Sequence, residues 1–163
     1  MKRTFMILNI FLVAALLLSA CTQSATPTEI NVESVEPTAA SLLQGANAAR
    51  SRGQIEQAAS LLRELQQRFP GSPEAILSHV SLGKLLMVRG SSEAALREFS
   101  TYLTTGGPLE EEALVGRAQA LGAMGRLGEE RGTWEALLTR FPNSVYAPRA
   151  RERLGVLAGN AAR

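Results

Sequence analysis

From Ala39 onward, apolar residues recur every three or four positions, as they do on a helix that buries one face. The second such segment shows the spacing with Ile55, Ala58 and Leu62. Glycine and proline interrupt the pattern at regular places and divide it into seven segments of helical length. The pattern therefore predicts an all-α domain over residues 39–163, in which short turns join consecutive helices into antiparallel hairpins.

The helical pattern repeats along the chain with an offset of 72 residues. The pairs that share this offset are Ala46 and Ala118, Gly53 and Gly125, Phe69 and Phe141, and Pro70 and Pro142. Gly90 lies about midway between Gly53 and Gly125, so the underlying unit is about 36 residues long. A single helical hairpin is too small to bury its own apolar face and packs on its neighbours instead. We therefore predict an α-solenoid of about three helical hairpins followed by a C-terminal capping helix.

The first two units present a small residue, a turn glycine, a second small residue, an apolar or aromatic residue and a proline in the same order, and the third unit repeats all of these but the second small residue. The residues concerned are Ala46, Gly53, Ala58, Leu62 and Pro70, then Gly83, Gly90, Ala95, Phe99 and Pro108, then Ala118, Gly125, Trp134 and Pro142. On these landmarks residues 39–157 resemble tetratricopeptide repeats (TPR). Glu130 departs from the pattern, because a small residue is usual at its position. This departure predicts looser packing between the fifth and sixth helices.

The first residues have the pattern of an export signal, with a basic head and an apolar run over residues 6–18 that is too short for an ordinary membrane span. Residues 18–21, Leu-Ser-Ala-Cys, resemble the lipobox of bacterial lipoproteins. The resemblance implies that residues 1–20 are a lipoprotein signal peptide and that Cys21 becomes the acylated first residue of the mature chain. The alternative is an incidental thiol beside an ordinary signal-peptide cleavage site.

Residues 21–38 are interpreted as the lipidated N-terminus and a flexible tether. They contain two prolines and three glutamates, no basic residue and no helical periodicity. Cys21 is the only cysteine, so no intramolecular disulfide can form and acylation gives this residue a use. Thr22 stands where enteric-type bacteria place the aspartate that retains lipoproteins at the inner membrane. The resemblance therefore implies the periplasmic face of the outer membrane.

The charge balance argues against nucleic-acid binding. The whole chain has 17 basic and 15 acidic residues, but Lys2 and Arg3 belong to the predicted signal. The mature chain is therefore close to neutral and carries no long run of basic residues, whereas a nucleic-acid-binding domain shows a clustered basic face.

The residue types also argue against catalysis. The chain has no aspartate, one histidine and one cysteine, which excludes a Ser-His-Asp triad and a His/Cys metal cluster. It contains no glycine-rich nucleotide-binding motif. We therefore predict that the protein is not an enzyme, with no metal, no cofactor and no small-molecule substrate. His79 is interpreted as a structural or surface residue.

In proteins of the TPR type, the first helix of each hairpin lines a concave groove that receives a peptide or a partner helix. Carrying this register over gives the positions Leu43, Asn47, Arg50, Leu77, Val80, Lys84, Met87, Glu112 and Gln119. Asn47, Arg50, Lys84 and Gln119 are the candidate partner-binding residues, because their cations and amides suit a carboxylate or an acidic peptide. The alternative is a solvated face without a defined ligand.

A second candidate surface is the last helix, where Arg149, Arg151 and Arg153 alternate along the chain. These arginines suit an acidic partner, and the alternative is that they only improve solubility.

The signal and the repeats together are similar in style to the Tol-Pal-associated coordinator and to the TPR lipoprotein of the outer-membrane assembly machine. This resemblance implies a lipid-anchored scaffold that binds envelope proteins at the periplasmic face of the outer membrane. The identity of the partner and the envelope pathway stay open. The alternative function is a structural cell-wall factor that associates with peptidoglycan and organises envelope synthesis or division.

Overall fold

The computed structural model describes residues 36–161. The predicted signal peptide, Cys21 and the tether up to residue 35 lie outside the described residues. The helices are α1 (Ala39–Ser51), α2 (Ile55–Arg68), α3 (Pro73–Val88), α4 (Ser92–Thr105), α5 (Glu110–Ala123), α6 (Leu127–Arg140) and α7 (Ala147–Ala161). In this part of the chain, no helix is long and apolar enough to cross a membrane.

The helices form three antiparallel hairpins, α1 with α2, α3 with α4, and α5 with α6, and α7 packs on α6. Each hairpin also packs on the next one, through α2 on α3 and through α4 on α5. The buried apolar residues are mostly leucines and alanines, with a few valines and aromatic residues, on the faces that the periodicity indicated. The prediction of an α-solenoid of about three hairpins and a final helix is therefore confirmed.

The turns inside the three hairpins have the same backbone conformation. Gly53, Gly90 and Gly125 have φ values of +74°, +72° and +72°, which are unfavourable for residues with a Cβ atom. Each of these glycines follows the end of a first helix and donates its N–H to a carbonyl oxygen in the last turn of that helix or at its cap. The regular spacing of glycine in the sequence therefore reflects a turn that is built three times in the described chain.

The helix starts follow from local side-chain chemistry. The Oγ1 atom of Thr38 accepts a hydrogen bond from the N–H of Ser41, whose Oγ accepts one from the N–H of Thr38 in return. At the start of α3, the Oγ of Ser72 accepts a hydrogen bond from the N–H of Ala75, and Pro73 occupies the first helical position. These caps fix where α1 and α3 begin.

The 72-residue offset also appears in contacts at the ends of α2 and α6. The Arg68 guanidinium lies 5.6 Å from the centre of the Phe69 ring, and Arg140 lies 5.7 Å from that of Phe141. Each arginine also pairs with a glutamate near the start of its own hairpin, Arg68 with Glu36 and Arg140 with Glu110. The first and third hairpins are therefore closed by the same set of contacts.

The second hairpin approaches its neighbour most closely at Phe99, which is fully buried. A Cβ atom at Gly83 of α3 would lie 2.8 Å from the Phe99 ring, and one at Gly116 of α5 would lie closer still. The ring therefore fills space that the two glycines leave free. This packing brings α3, α4 and α5 together around one side chain.

Candidate binding clefts

The junction between the third hairpin and α7 differs from the other junctions. By the repeat offsets, Glu130 in α6 has the position of Ala58 in α2 and Ala95 in α4. Both alanines are fully buried, and Glu130 is almost as inaccessible, with 2% of its surface exposed. A carboxylate thus lies where the solenoid elsewhere buries a methyl group, and a buried carboxylate requires partners.

Two side chains supply those partners. The Oε1 atom of Glu130 accepts hydrogen bonds from Nε1 of Trp134 at 3.1 Å and from Nε of Arg153 at 2.7 Å. The Oε2 atom accepts a third from Nη2 of Arg153 at 2.9 Å. The hydrogen bonds from Arg153 lower the pKa of Glu130 most strongly, and the bond from Trp134 lowers it further. Burial opposes this shift. The same contact raises the pKa of Arg153, so both groups are charged at neutral pH.

Gly122 of α5 provides the space for the Glu130 carboxylate. A Cβ atom at Gly122 would lie 2.9 Å from Oε2 of Glu130. Helices α5 and α6 therefore stay packed against each other around the carboxylate. The sequence predicted looser packing between α5 and α6 because of Glu130. The open space lies instead between α5 and α7. These two helices have no Cα atoms within 8 Å of each other, whereas α1 approaches α3 and α3 approaches α5.

The resulting opening, which we call the α5–α7 cleft, has a volume of about 450 Å³. Its lining residues are Gln119, Gly122, Glu130, Trp134, Arg149, Glu152, Arg153 and Val156. The side chains come from three helices, and the Glu130 and Arg153 pair described above forms part of its wall. The cleft therefore combines charged and amide side chains with the apolar surfaces of Trp134 and Val156.

A second opening, the central cleft, lies between α3 and α5 and reaches the start of α7. Its volume is about 350 Å³. Its lining residues are Lys84, Met87, Val88, Phe99, Glu112, Val115, Gly116, Gln119, Tyr146 and Arg149. Most of these are apolar or aromatic, and Val88 is 75% exposed. Lys84 and Arg149 add positive charge from α3 and α7, so the cleft combines an apolar surface with two cations and the Glu112 carboxylate.

Gln119 and Arg149 border both clefts. With its amide oriented so that oxygen faces the guanidinium, Gln119 accepts hydrogen bonds from Nη1 and Nη2 of Arg149 at 2.9 and 3.0 Å. This pair connects α5 to α7 and separates the two clefts. Because Gln119 is neutral, it leaves the charge of Arg149 uncompensated.

Among the predicted site residues, Lys84 and Gln119 line the central cleft together. Asn47 and Arg50 border neither cleft. They are exposed on α1, where Arg50 donates to the Asn47 amide oxygen at a long 3.4 Å. Val80, which the carried-over register placed in the groove, is buried in the core with 1% of its surface exposed. That assignment is wrong, because Val80 faces the interior of the solenoid.

The arginines of α7 separate into two groups. Arg149 and Arg153, one helical turn apart, line the clefts, whereas Arg151 is exposed elsewhere on the helix. Sequence reasoning did not assign Glu130 or Tyr146 to a site. For Glu130 the signal was present, since a charge stood at a small-residue position with Gly122 nearby in the preceding helix. For Tyr146 we find no such signal.

His79 belongs to a separate polar contact among three helices. Its Nδ1 atom lies 2.7 Å from Oε2 of Glu98 and 3.1 Å from Nε2 of Gln66. These residues lie outside both clefts, so the geometry agrees with the structural interpretation of His79. Within residues 36–161, no group of three or more His, Cys, Asp or Glu side chains could hold a metal ion.

Comparisons with known proteins agree with the repeat assignment. The family model described as tetratricopeptide repeat matches residues 39–72 and 112–144. An uncharacterised 18.1 kDa protein encoded in the carS 3′ region of Myxococcus xanthus is 35% identical over 105 residues. The match covers 63% of this chain and 60% of that protein, so the chain spans less than two thirds of the relative's length.

Several solved structures share the fold. The first TPR of Spaghetti (RPAP3), bound to an HSP90 peptide, has a TM-score of 0.65 at 16% identity, over 77% of this chain and 94% of that one. The OM64 TPR domain of Arabidopsis has a TM-score of 0.62 at 16% identity, over 71% and 93%. A TPR-like protein from Chlorobium tepidum has 0.53 at 19% identity, over 76% and 92%. The described residues thus have the fold of a TPR-like solenoid.

Proposed function

We propose that this protein is a lipid-anchored scaffold of the Gram-negative envelope that binds a segment of a partner protein in its central cleft. The observation that carries the proposal is the central cleft itself, an open, largely apolar surface between successive hairpins with Lys84 and Arg149 beside it. Repeats of this type generally mediate contacts between proteins, and the fold is used as a non-catalytic interaction scaffold.

The chemistry of the central cleft favours a peptide segment as its ligand. Met87, Val115 and Tyr146 offer apolar contact, and Lys84 and Arg149 offer partners for carboxylates. An open cleft of about 350 Å³ accommodates a few side chains of a peptide. The peptide bound to the first TPR of Spaghetti gives a precedent for peptide binding by this fold.

The anchoring half of the proposal rests on the sequence. The Leu-Ser-Ala-Cys motif at residues 18–21 and the apolar run before it support acylation of Cys21. Several acyl chains on one residue would hold the protein stably at the membrane, where one chain alone is marginal. The residues between Cys21 and α1 would then act as a tether, and the resemblance supports the periplasmic face of the outer membrane as the location.

The first experiment compares the wild type with Cys21→Ser and with a Lys84→Gln/Met87→Ala double variant in a Gram-negative host. Each is followed by membrane fractionation and by affinity capture after mild crosslinking. We expect the wild type in the outer membrane with a defined envelope protein, and Cys21→Ser in the soluble fraction. The cleft variant should stay in the membrane and lose the envelope protein. Arg97→Gln, an exposed substitution on α4, is the matched control and should retain both properties.

Each half of the proposal can fail separately. If Cys21→Ser and the wild type fractionate identically, the anchor is wrong. If the Lys84→Gln/Met87→Ala variant captures the same protein as the wild type, the central cleft does not hold the partner. Binding to purified sacculi, with no protein partner captured, would replace the scaffold by the alternative of a peptidoglycan-associated structural factor.

A further inference from the structure

We infer that the α5–α7 cleft is a second binding site, distinct from the central cleft, that takes an acidic side chain of the partner through Arg153 and Arg149. The inference rests on the proposed function, because it assigns a chemical class to part of the bound segment. It concerns residues of α6 and α7, whereas the predicted groove was drawn on the first helix of each hairpin. Arg149 and Arg153 belong to the second candidate surface of the sequence.

The cleft exists because two positions of the repeat pattern are changed together. Glu130 replaces the buried alanine of the earlier hairpins, and Arg153 stands where Ser81 and Gly116 stand by the same offsets. At the preceding junction, Gly116 allows α5 to approach α3 around Phe99. The long side chain of Arg153 reaches back to Glu130 instead, and α7 stays apart from α5. A charged pair thus occupies the place of a close helix crossing.

The pair holds Arg153 in a fixed orientation. Its Nε and Nη2 atoms both donate to the Glu130 carboxylate, which is itself held by Trp134. Among the described residues, Nη1 of Arg153 donates no hydrogen bond, and 37% of the side chain is exposed. A guanidinium that is fixed along one edge and open along another binds a carboxylate without first losing rotational freedom.

Arg149 supplies the second cation. It lies one helical turn before Arg153 on the same face of α7, and its guanidinium is bonded to the neutral Gln119 amide. The lining of the cleft therefore has two guanidinium groups and two carboxylates, those of Glu130 and Glu152. Among the described residues, Glu130 is paired with Arg153, whereas Glu152 forms no ion pair with either arginine.

The walls suit a side chain that is both acidic and partly apolar. Trp134 and Val156 border the cleft beside the cations, where they can contact the methylene groups of a glutamate. A charge-assisted hydrogen bond to a preoriented arginine is among the stronger polar contacts in water. Because Gln119 and Arg149 border both clefts, one extended segment can place an acidic residue here while its neighbours occupy the central cleft.

The test uses Trp134 as a built-in reporter, since it is the only tryptophan of the chain and lines the cleft. The purified full-length protein in detergent is titrated with a hexaglutamate peptide, and Trp134 fluorescence is recorded. Hexaglutamine and sodium chloride of equal ionic strength are the ligand controls. We expect a saturable change with hexaglutamate that weakens as salt is raised, and no change with hexaglutamine.

The variants locate the site. Arg149→Gln should weaken hexaglutamate binding about tenfold or more. Arg153→Lys, which keeps a cation beside Glu130, should weaken it by a similar factor without unfolding α7, because it removes the open edge of the guanidinium. Arg151→Gln, on the same helix but outside the cleft, should bind as the wild type does. Lys84→Gln should also leave the fluorescence change intact, since Lys84 borders only the central cleft.

Three outcomes would overturn the inference. They are no fluorescence change with hexaglutamate, equal loss in Arg151→Gln and Arg149→Gln, or a change that Lys84→Gln removes and Arg153→Lys does not. The last result would leave the proposed function intact, because the acidic peptide would then occupy the central cleft alone. Loss of the cellular partner in the central-cleft variant, with hexaglutamate binding unchanged, would conversely support both sites.

Discussion

The guanidinium of Arg153 donates two hydrogen bonds to the carboxylate of Glu130, from Nε at 2.7 Å and from Nη2 at 2.9 Å. One partner is almost completely buried in α6 and the other lies on the last helix of the described chain. The charge that replaces a small residue in the solenoid is thus neutralised from a neighbouring helix. The stability of the third hairpin therefore depends on the placement of α7.

We expect Arg153→Ala to be more destabilising than removal of both partners. The single substitution leaves the buried Glu130 carboxylate without its cation, which should cost about 2–3 kcal/mol of the free energy of unfolding. The Glu130→Ala/Arg153→Ala double variant restores the alanine found at Ala58 and Ala95 and should recover most of this loss. Urea denaturation followed by circular dichroism measures both. Equal losses in the single and double variants would contradict the role assigned to the pair.

The same pair predicts an acid-sensitive stability. The pKa of Glu130 is lowered in the folded protein, chiefly by the hydrogen bond from Arg153. The contribution of the Glu130 carboxylate to the free energy of unfolding is therefore fully present above the ordinary glutamate pKa of about 4.3. It is lost as the pH falls through the lowered pKa of the folded state. The urea midpoint measured from pH 7 to pH 3 should fall less steeply in Glu130→Gln than in the wild type. Parallel curves would show that Glu130 does not contribute.

Substitution of Gly116 tests the packing around Phe99. Gly116→Ala forces a methyl group into the ring and should destabilise the protein by about 1–3 kcal/mol. Gly132→Ala is the matched control, because this helical glycine has open space around it and alanine there should stabilise by up to about 1 kcal/mol. Phe99→Leu, which copies Leu62 of the first hairpin, should reduce the cost of Gly116→Ala. Thermal unfolding of the single and double variants measures these costs. If Gly116→Ala is as destabilising with Phe99→Leu as without it, the ring is not the obstacle.

The turn at Gly90 gives a prediction that depends on the backbone alone. Its φ of +72° lies in the left-handed region, so Gly90→Ala should cost about 1–2 kcal/mol. Gly90→Asn should cost less, because asparagine tolerates this conformation better. No side chain would collide there, since a Cβ atom at Gly90 meets nothing within 4 Å. Equal unfolding temperatures for the wild type, alanine and asparagine forms would contradict a conformational requirement at this turn.

The regular part of the fold could be predicted because the same residues recur at fixed offsets in the sequence. Gly53, Gly90 and Gly125 mark three turns of the same conformation, and Phe69 and Phe141 end their hairpins alike. Local rules for helix periodicity and capping were therefore enough for the helices and their order. The lipid anchor at Cys21 and the location at the outer membrane stay predictions.

The clefts could be predicted only in part. The register carried over from related repeats selected Lys84 and Gln119, which meet in the central cleft, but also Asn47 and Arg50, which do not reach it. A register states which side of a helix a residue occupies and does not state how far apart two helices lie. Where α5 and α7 lie apart, Arg153 donates hydrogen bonds to a buried carboxylate on α6, which is a tertiary contact that no repeat pattern contains.

The contacts of Phe99 have a consequence for cooperativity. One ring is enclosed by residues of α3 and α5 while belonging to α4, so these helices cannot separate without exposing it. The second hairpin and the start of the third should therefore open as one unit in amide hydrogen exchange. Helix α7 packs on α6 and makes no close backbone approach to α5, so its exchange should be governed by a smaller opening. The solenoid thus has a strongly coupled middle and an end that opens more easily.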